Sequence, residues 1–139
     1  MAKVNSVEEM RSFGASLAAQ LRTGDLIVLD GPLGAGKTAL TQGIAAGLGI
    51  SDVTSPTFVI ARTHQGKIPL IHVDAYRLLG STQQSFEFDD LDLDTQREDA
   101  IVVVEWGSDL ALRLDEHYLL VDISFTGAGD ERKVEIAKR

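Results

Sequence analysis

Eight consecutive residues, Gly31-Pro32-Leu33-Gly34-Ala35-Gly36-Lys37-Thr38, match the phosphate-binding pattern G-x-x-x-x-G-K-[ST] throughout. Their surroundings suit it as well. The apolar run Leu26-Ile27-Val28-Leu29 precedes the loop, and Leu40, Ile44 and Leu48 follow on one face of a helical pattern. A strand that feeds a glycine loop into a helix start turns successive backbone N–H groups inward, toward phosphate oxygens. Lys37 would then reach the β/γ-phosphates, and the Thr38 hydroxyl would ligate Mg²⁺. Glycines that merely relieve a tight corner need neither this lysine nor this threonine. The loop therefore predicts a nucleoside-triphosphate site built from residues 31 to 38.

A loop of this kind requires a sheet beneath it, and the rest of the chain supplies one. Ser6 and Glu9 form an S-x-x-E capping pair, opening a helix with Met10, Phe13, Leu17 and Leu21 on one face and Gly24 as its stop. The loop strand is expected over Asp25 to Asp30, and the loop helix to a stop at Gly49. Gly43 and Gly47 lie one turn apart in that helix and predict close packing on a sheet. After the corner Ser55-Pro56-Thr57, the run Phe58-Val59-Ile60 and the run Ile68 to Val73, split by Gln65-Gly66-Lys67, read as an antiparallel hairpin. Ile101 to Val104 lacks polar alternation, as a central strand buried on both faces should. Leu119, Val121, Ile123 and Phe125, then Val134 and Ile136 beyond Gly127-Ala128-Gly129-Asp130, form a second hairpin. The predicted fold is a single α/β domain over residues 1–139, of the P-loop NTPase kind. Its mixed sheet has parallel strands around the loop, antiparallel hairpins beyond it, and helices on both faces.

Composition narrows the chemistry further. At 139 residues and 44% hydrophobic, the chain suits one core. It has no cysteine, which excludes disulfides and thiolate chemistry and fits a reducing compartment. Met1 to Asn5 contains no apolar leader, and no apolar stretch approaches membrane-spanning length, so a cytoplasmic location is expected. Net charge is −8, from 13 Lys+Arg against 21 Asp+Glu, with the basic residues mostly scattered. Strong direct nucleic-acid binding is not expected, because it needs clustered Lys and Arg. Gly80 to Asp99 is acid-rich, a composition usual for a solvated face, but Phe86, Phe88, Leu91 and Leu93 interleave and leave a partner-docking surface as the alternative.

In open α/β sheets the ligand sits beyond the carboxyl ends of the strands. Two apolar runs end there in an acid: Leu70 to Val73 leads to Asp74, and Ile101 to Val104 leads to Glu105. Asp74 suits the Mg²⁺ shell, and the longer Glu105 suits orientation of an attacking water. Thr38, Asp74 and Glu105 are thus the candidate Mg²⁺ ligands, and Lys37, Asp74 and Glu105 the candidate catalytic groups. Thr57 is a candidate switch residue that joins the site when triphosphate is bound, or else the start of a strand. Trp106 follows Glu105 directly and is either core or nucleotide-facing. Arg77 is available to phosphate or to the acidic run, and His72 reads as a core or supporting residue. Asn5 is the only asparagine, so an N-K-x-D guanine reader is absent, and no aspartate is followed three residues later by glycine. ATP is therefore favoured over GTP.

Taken in order, Gly31 to Thr38, Ser55-Pro56-Thr57-Phe58, His72-Val73-Asp74-Ala75-Tyr76-Arg77-Leu78 and Val104-Glu105-Trp106 resemble the TsaE (YjeE) family over about residues 6 to 125. The resemblance implies a small ATPase of tRNA threonylcarbamoyladenosine synthesis, feeble alone and supported by TsaD and TsaB. It implies Lys37 and Thr38 as phosphate and Mg²⁺ binders, Thr57 as the switch-like threonine, Asp74 and Glu105 as the functional acids, and Trp106 beside the nucleotide. One departure is Gly107-Ser108-Asp109, where members often carry an acid closer to the tryptophan. The residues themselves leave two rivals open: a small-molecule kinase, and an ATP-gated assembly module without turnover.

Overall fold

The structure, a computed structural model, describes residues 2–32, 34–50, 61–74, 99–105 and 117–139. A short strand β1 (Ala2–Val4), not expected from its three residues, leads to helix α1 (Val7–Ala18). Ser6 caps α1 by accepting from the Glu9 N–H at 3.1 Å, and Glu9 Oε2 accepts from the Asn5 N–H at 2.8 Å. The expected capping pair is formed, with its return bond one residue ahead of the cap. The helix stops at Ala18 rather than running on to Gly24. Gln20 and Leu21 donate to carbonyls three residues back, which tightens the last turn and ends the α ladder. Gly24, at φ 88°, instead turns the chain into β2 (Leu26–Asp30).

Helix α2 (Lys37–Gly47) ends as expected at Gly49, whose φ is 79°. The Gly49 N–H bonds to Ala46 O at 3.0 Å and the Ile50 N–H to Ala45 O at 2.8 Å, a Schellman closure. Two hairpins follow the expected pattern. Strand β3 (Ala61–His64) pairs antiparallel with β4 (Leu70–Asp74), while the 58–60 run lies outside the described residues. After β5 (Ile101–Glu105), strands β6 (Leu119–Phe125) and β7 (Arg132–Lys138) pair antiparallel.

These strands form one mixed sheet in the order β1-β7-β6-β2-β5-β4-β3. The neighbours β6, β2, β5 and β4 are parallel, and the hairpin partners at either side are antiparallel. The chain leaves β2 to one side and later returns to its other side at β6. That reversal makes the carboxyl end of β2 a topological switch point, where an open sheet leaves a crevice.

Ile27, Leu29, Ile101, Val103, Val121 and Ile123 share one buried cluster with Met10 and Leu17 of α1 and Leu40 and Ile44 of α2. Fully burying a side chain such as Leu40 or Ile44 contributes roughly 1.5–3 kcal/mol. The alternate residues Val28, Val102 and Val104 are also fully buried, so neither face of the central strands is open to solvent. Helices expected on that second face lie outside the described residues.

Gly43 and Gly47 face α1, not the sheet. A Cβ on Gly43 would stand 2.1 Å from Arg11 O, and one on Gly47 would stand 2.6 Å from Ala18 Cβ. Gly14 answers from α1, where a Cβ would meet Leu40 O at 2.4 Å. The glycines let two helix backbones touch, which seats α2 and its loop firmly. No helix among the described residues is long and apolar enough to cross a membrane.

Candidate functional site at the phosphate loop

Strand β2 delivers Asp30 to the switch point, where Asp30 Oδ1 accepts from the Gly31 N–H at 3.0 Å. From there the loop uses backbone that side chains rarely adopt: φ is 151° at Gly31, 82° at Gly34 and 112° at Gly36. At Gly31 space is also absent, since a Cβ would lie 2.5 Å from Ile123 O on β6. The Ala35 N–H closes a turn onto Pro32 O at 3.1 Å. Gly36, the N-cap of α2, brings no side chain to the helix start, and the first turn carries no acid. The positive end of the helix dipole therefore faces the loop with no protein carboxylate in that turn, which suits an anion. Leu33 lies outside the described residues.

Lys37 is 5% exposed and donates from Nζ to Gly31 O at 2.8 Å and Pro32 O at 3.0 Å. Its ammonium thus spans the loop opening from within. Thr38 is exposed at the start of α2, and Thr41 Oγ1 donates to Lys37 O at 2.9 Å inside the helix.

The two expected acids arrive by strand register. Glu105 pairs with Leu29 on one side and with Asp74 on the other, placing both acids at the carboxyl ends of the strands, Glu105 next to the loop strand and Asp74 one strand further out. Glu105 is 6% exposed, and its Oε2 lies 2.5 Å from Nε2 of the fully buried His72. A carboxylate can only accept, so Nε2 is the donor. The sequence left His72 as a core or supporting residue and did not name Glu105 as its partner. The signal was its position two residues before Asp74, which puts both residues on one face of β4. Thr57, Arg77, Trp106 and the acid-rich segment except Asp99 lie outside the described residues.

These groups fit Mg·ATP. The loop has glycines at three positions whose backbone side chains rarely adopt, and the candidate metal donors Thr38, Asp74 and Glu105 are all hard oxygens, as Mg²⁺ requires. A cleft of about 350 Å³ borders the loop, lined by Gly34, Ala35 and Gly36 together with Glu8, Asp130 and Arg132. The larger cavity, about 720 Å³ and lined in part by Gly24, Leu26, Tyr118 and Lys138, opens at the opposite, amino ends of the parallel strands. Ligand sites of such sheets lie at the carboxyl ends, which sets the larger cavity apart from the phosphate loop. Away from the site, the exposed Lys133–Glu135 pair, 2.8 Å apart on β7, holds its lysine above and its glutamate below their ordinary ranges by a mutual hydrogen bond.

Known proteins similar to this chain identify its family. The family model "Threonylcarbamoyl adenosine biosynthesis protein TsaE" matches residues 4–134. A Mycobacterium tuberculosis protein named tRNA threonylcarbamoyladenosine biosynthesis protein TsaE is 48% identical over 133 residues, covering 91% of this chain and 79% of that protein. Its Streptomyces coelicolor namesake is 52% identical over 118 residues, covering 82% of this chain and 78% of that protein. The crystal structure of Bacillus subtilis YdiB aligns with a TM-score of 0.74 at 31% identity, covering 99% of this chain and 82% of that one.

Proposed function

The chain belongs to the TsaE family, and from that premise we propose that it is an ATP-binding and ATP-hydrolysing subunit of tRNA threonylcarbamoyladenosine synthesis, acting in the cytoplasm with TsaD- and TsaB-type proteins. One observation carries the reading: a left-handed glycine loop opens onto an uncapped helix start, with Glu105 one strand away in register with Leu29.

In this reading the backbone N–H groups of Gly34, Gly36, Lys37 and Thr38 hold the phosphate tail. Lys37 exchanges the Gly31 and Pro32 carbonyls for β/γ-phosphate oxygens. Those carbonyls give the buried ammonium two hydrogen-bond acceptors within the loop. Thr38 and Asp74, with Glu105 as a further oxygen donor, would hold Mg²⁺, which screens phosphate charge when bound. Glu105 orients the attacking water, and the family resemblance assigns Thr57 as the residue that would respond to the γ-phosphate and Trp106 as the aromatic that would meet the nucleotide.

The test is ATP hydrolysis by the chain alone and with its TsaB- and TsaD-type partners. Slow turnover alone, acceleration by partners and loss on chelation of Mg²⁺ are expected. Glu105→Ala should bind ATP yet lose about 10²–10⁴-fold in turnover. Full turnover by that variant removes Glu105 from the mechanism. Stoichiometric phosphorylation of a metabolite without partners would replace the reading with a kinase.

A further inference from the structure

We propose that His72 is a positioning residue that holds the Glu105 carboxylate in the orientation used for hydrolysis; this rests on the reading of Glu105 given above. The two residues meet through parallel register. His72 pairs with Val103 and Asp74 with Glu105, so His72 stands on the face of Glu105 but two residues nearer the strand start. Two residues of strand span about 6.6 Å. The imidazole on β4 and the long glutamate arm on β5 close that gap, meeting at 2.5 Å.

The character of the contact points to aim rather than filling. His72 is fully buried, and among the described residues its Nδ1 has no hydrogen-bond partner. An imidazole kept only for volume would be better replaced by an apolar ring, because a buried unsatisfied nitrogen is unfavourable. Here that penalty is accepted at Nδ1 while Nε2 makes a charge-assisted bond to Oε2. Holding Oε2 fixes the carboxylate plane and leaves Oε1 to engage water. Orientation of this kind acts on turnover rather than on binding, because it is realised at the reacting centre and not along the phosphate tail.

The experiment compares His72→Gln, whose amide nitrogen can stand where Nε2 stands, with His72→Phe, a ring of similar size without the donor. Partner-supported kcat, ATP affinity and Tm are measured for each, alone and combined with Glu105→Gln. The expected result for His72→Phe is a fall in kcat of about 10–100-fold, the range seen when a supporting hydrogen bond is removed from a site. ATP affinity should stay within about twofold of wild type, since the phosphate loop is untouched. His72→Gln should recover most of the turnover, and His72→Phe should add nothing once Glu105 is Gln. If His72→Phe fails to fold, His72→Asn, whose amide stops short of Glu105, takes its place against His72→Gln. Wild-type kcat in the donor-less variant overturns the positioning role, as does equal loss in the Gln and donor-less variants. Absence of hydrolysis by the wild-type complex overturns the functional reading itself, and the positioning role with it.

Discussion

Gly31 passes so close to β6 that a Cβ on it would stand 2.5 Å from the carbonyl oxygen of Ile123. Strand β6 is thus the wall against which the phosphate loop is shaped, and the first loop residue is confined by both its left-handed φ and a neighbouring backbone. Gly31→Ala should therefore lower stability by roughly 1–3 kcal/mol through strain and overpacking. The same change should weaken Mg·ATP binding at least about tenfold, as the amides lose their aim. Thermal denaturation and calorimetric titration check both, and an unchanged affinity would show that Gly31 does not shape the site.

Lys37 spans the loop from Nζ to Gly31 O and Pro32 O. Lys37→Met keeps the buried stem and removes the charge. ATP affinity should fall about 30-fold or more, the loss expected when one partner of a buried charge pair is removed. The fold should persist, because the loop turn between Pro32 and Ala35 is closed by backbone. Calorimetry with ATP and circular dichroism separate the two effects.

At Gly43 the obstacle is helix against helix. A Cβ 2.1 Å from Arg11 O cannot be absorbed by a side-chain rotation, so α1 and α2 must move apart. Replacing glycine by alanine in a helix would ordinarily gain about 1 kcal/mol. Here Gly43→Ala should instead destabilise by roughly 1–3 kcal/mol, visible as a fall of several degrees in Tm. A rise in Tm would mean that the two helices are not seated this closely.

The α1 cap offers a control remote from the chemistry. Ser6→Ala removes the bond from the Glu9 N–H to Ser6 Oγ and should cost about 1 kcal/mol, measured by urea denaturation. ATP affinity should not change. A large loss of affinity would tie the start of α1 to the nucleotide, as its place on the 350 Å³ cleft beside the loop makes testable.

Much of this protein was legible in the chain because it is local. Residues 31 to 38 carry their own backbone geometry: three glycines accept positive φ, and a lysine and a threonine open the helix. Ser6, Glu9 and Gly49 mark helix ends through bonds spanning a few residues, and the burial of β5 follows from four β-branched residues in a row. Distance along the chain decided the rest. Whether Gly43 meets a sheet or a helix depends on α1, and packing chose Arg11. Nothing near residue 105 announces His72, 33 positions earlier; only the parallel register of β4 and β5 makes them neighbours. Local torsional preference wrote the loop into the sequence, whereas the union of distant strands and helices, driven by burial of their shared apolar face, determined what stands beside it.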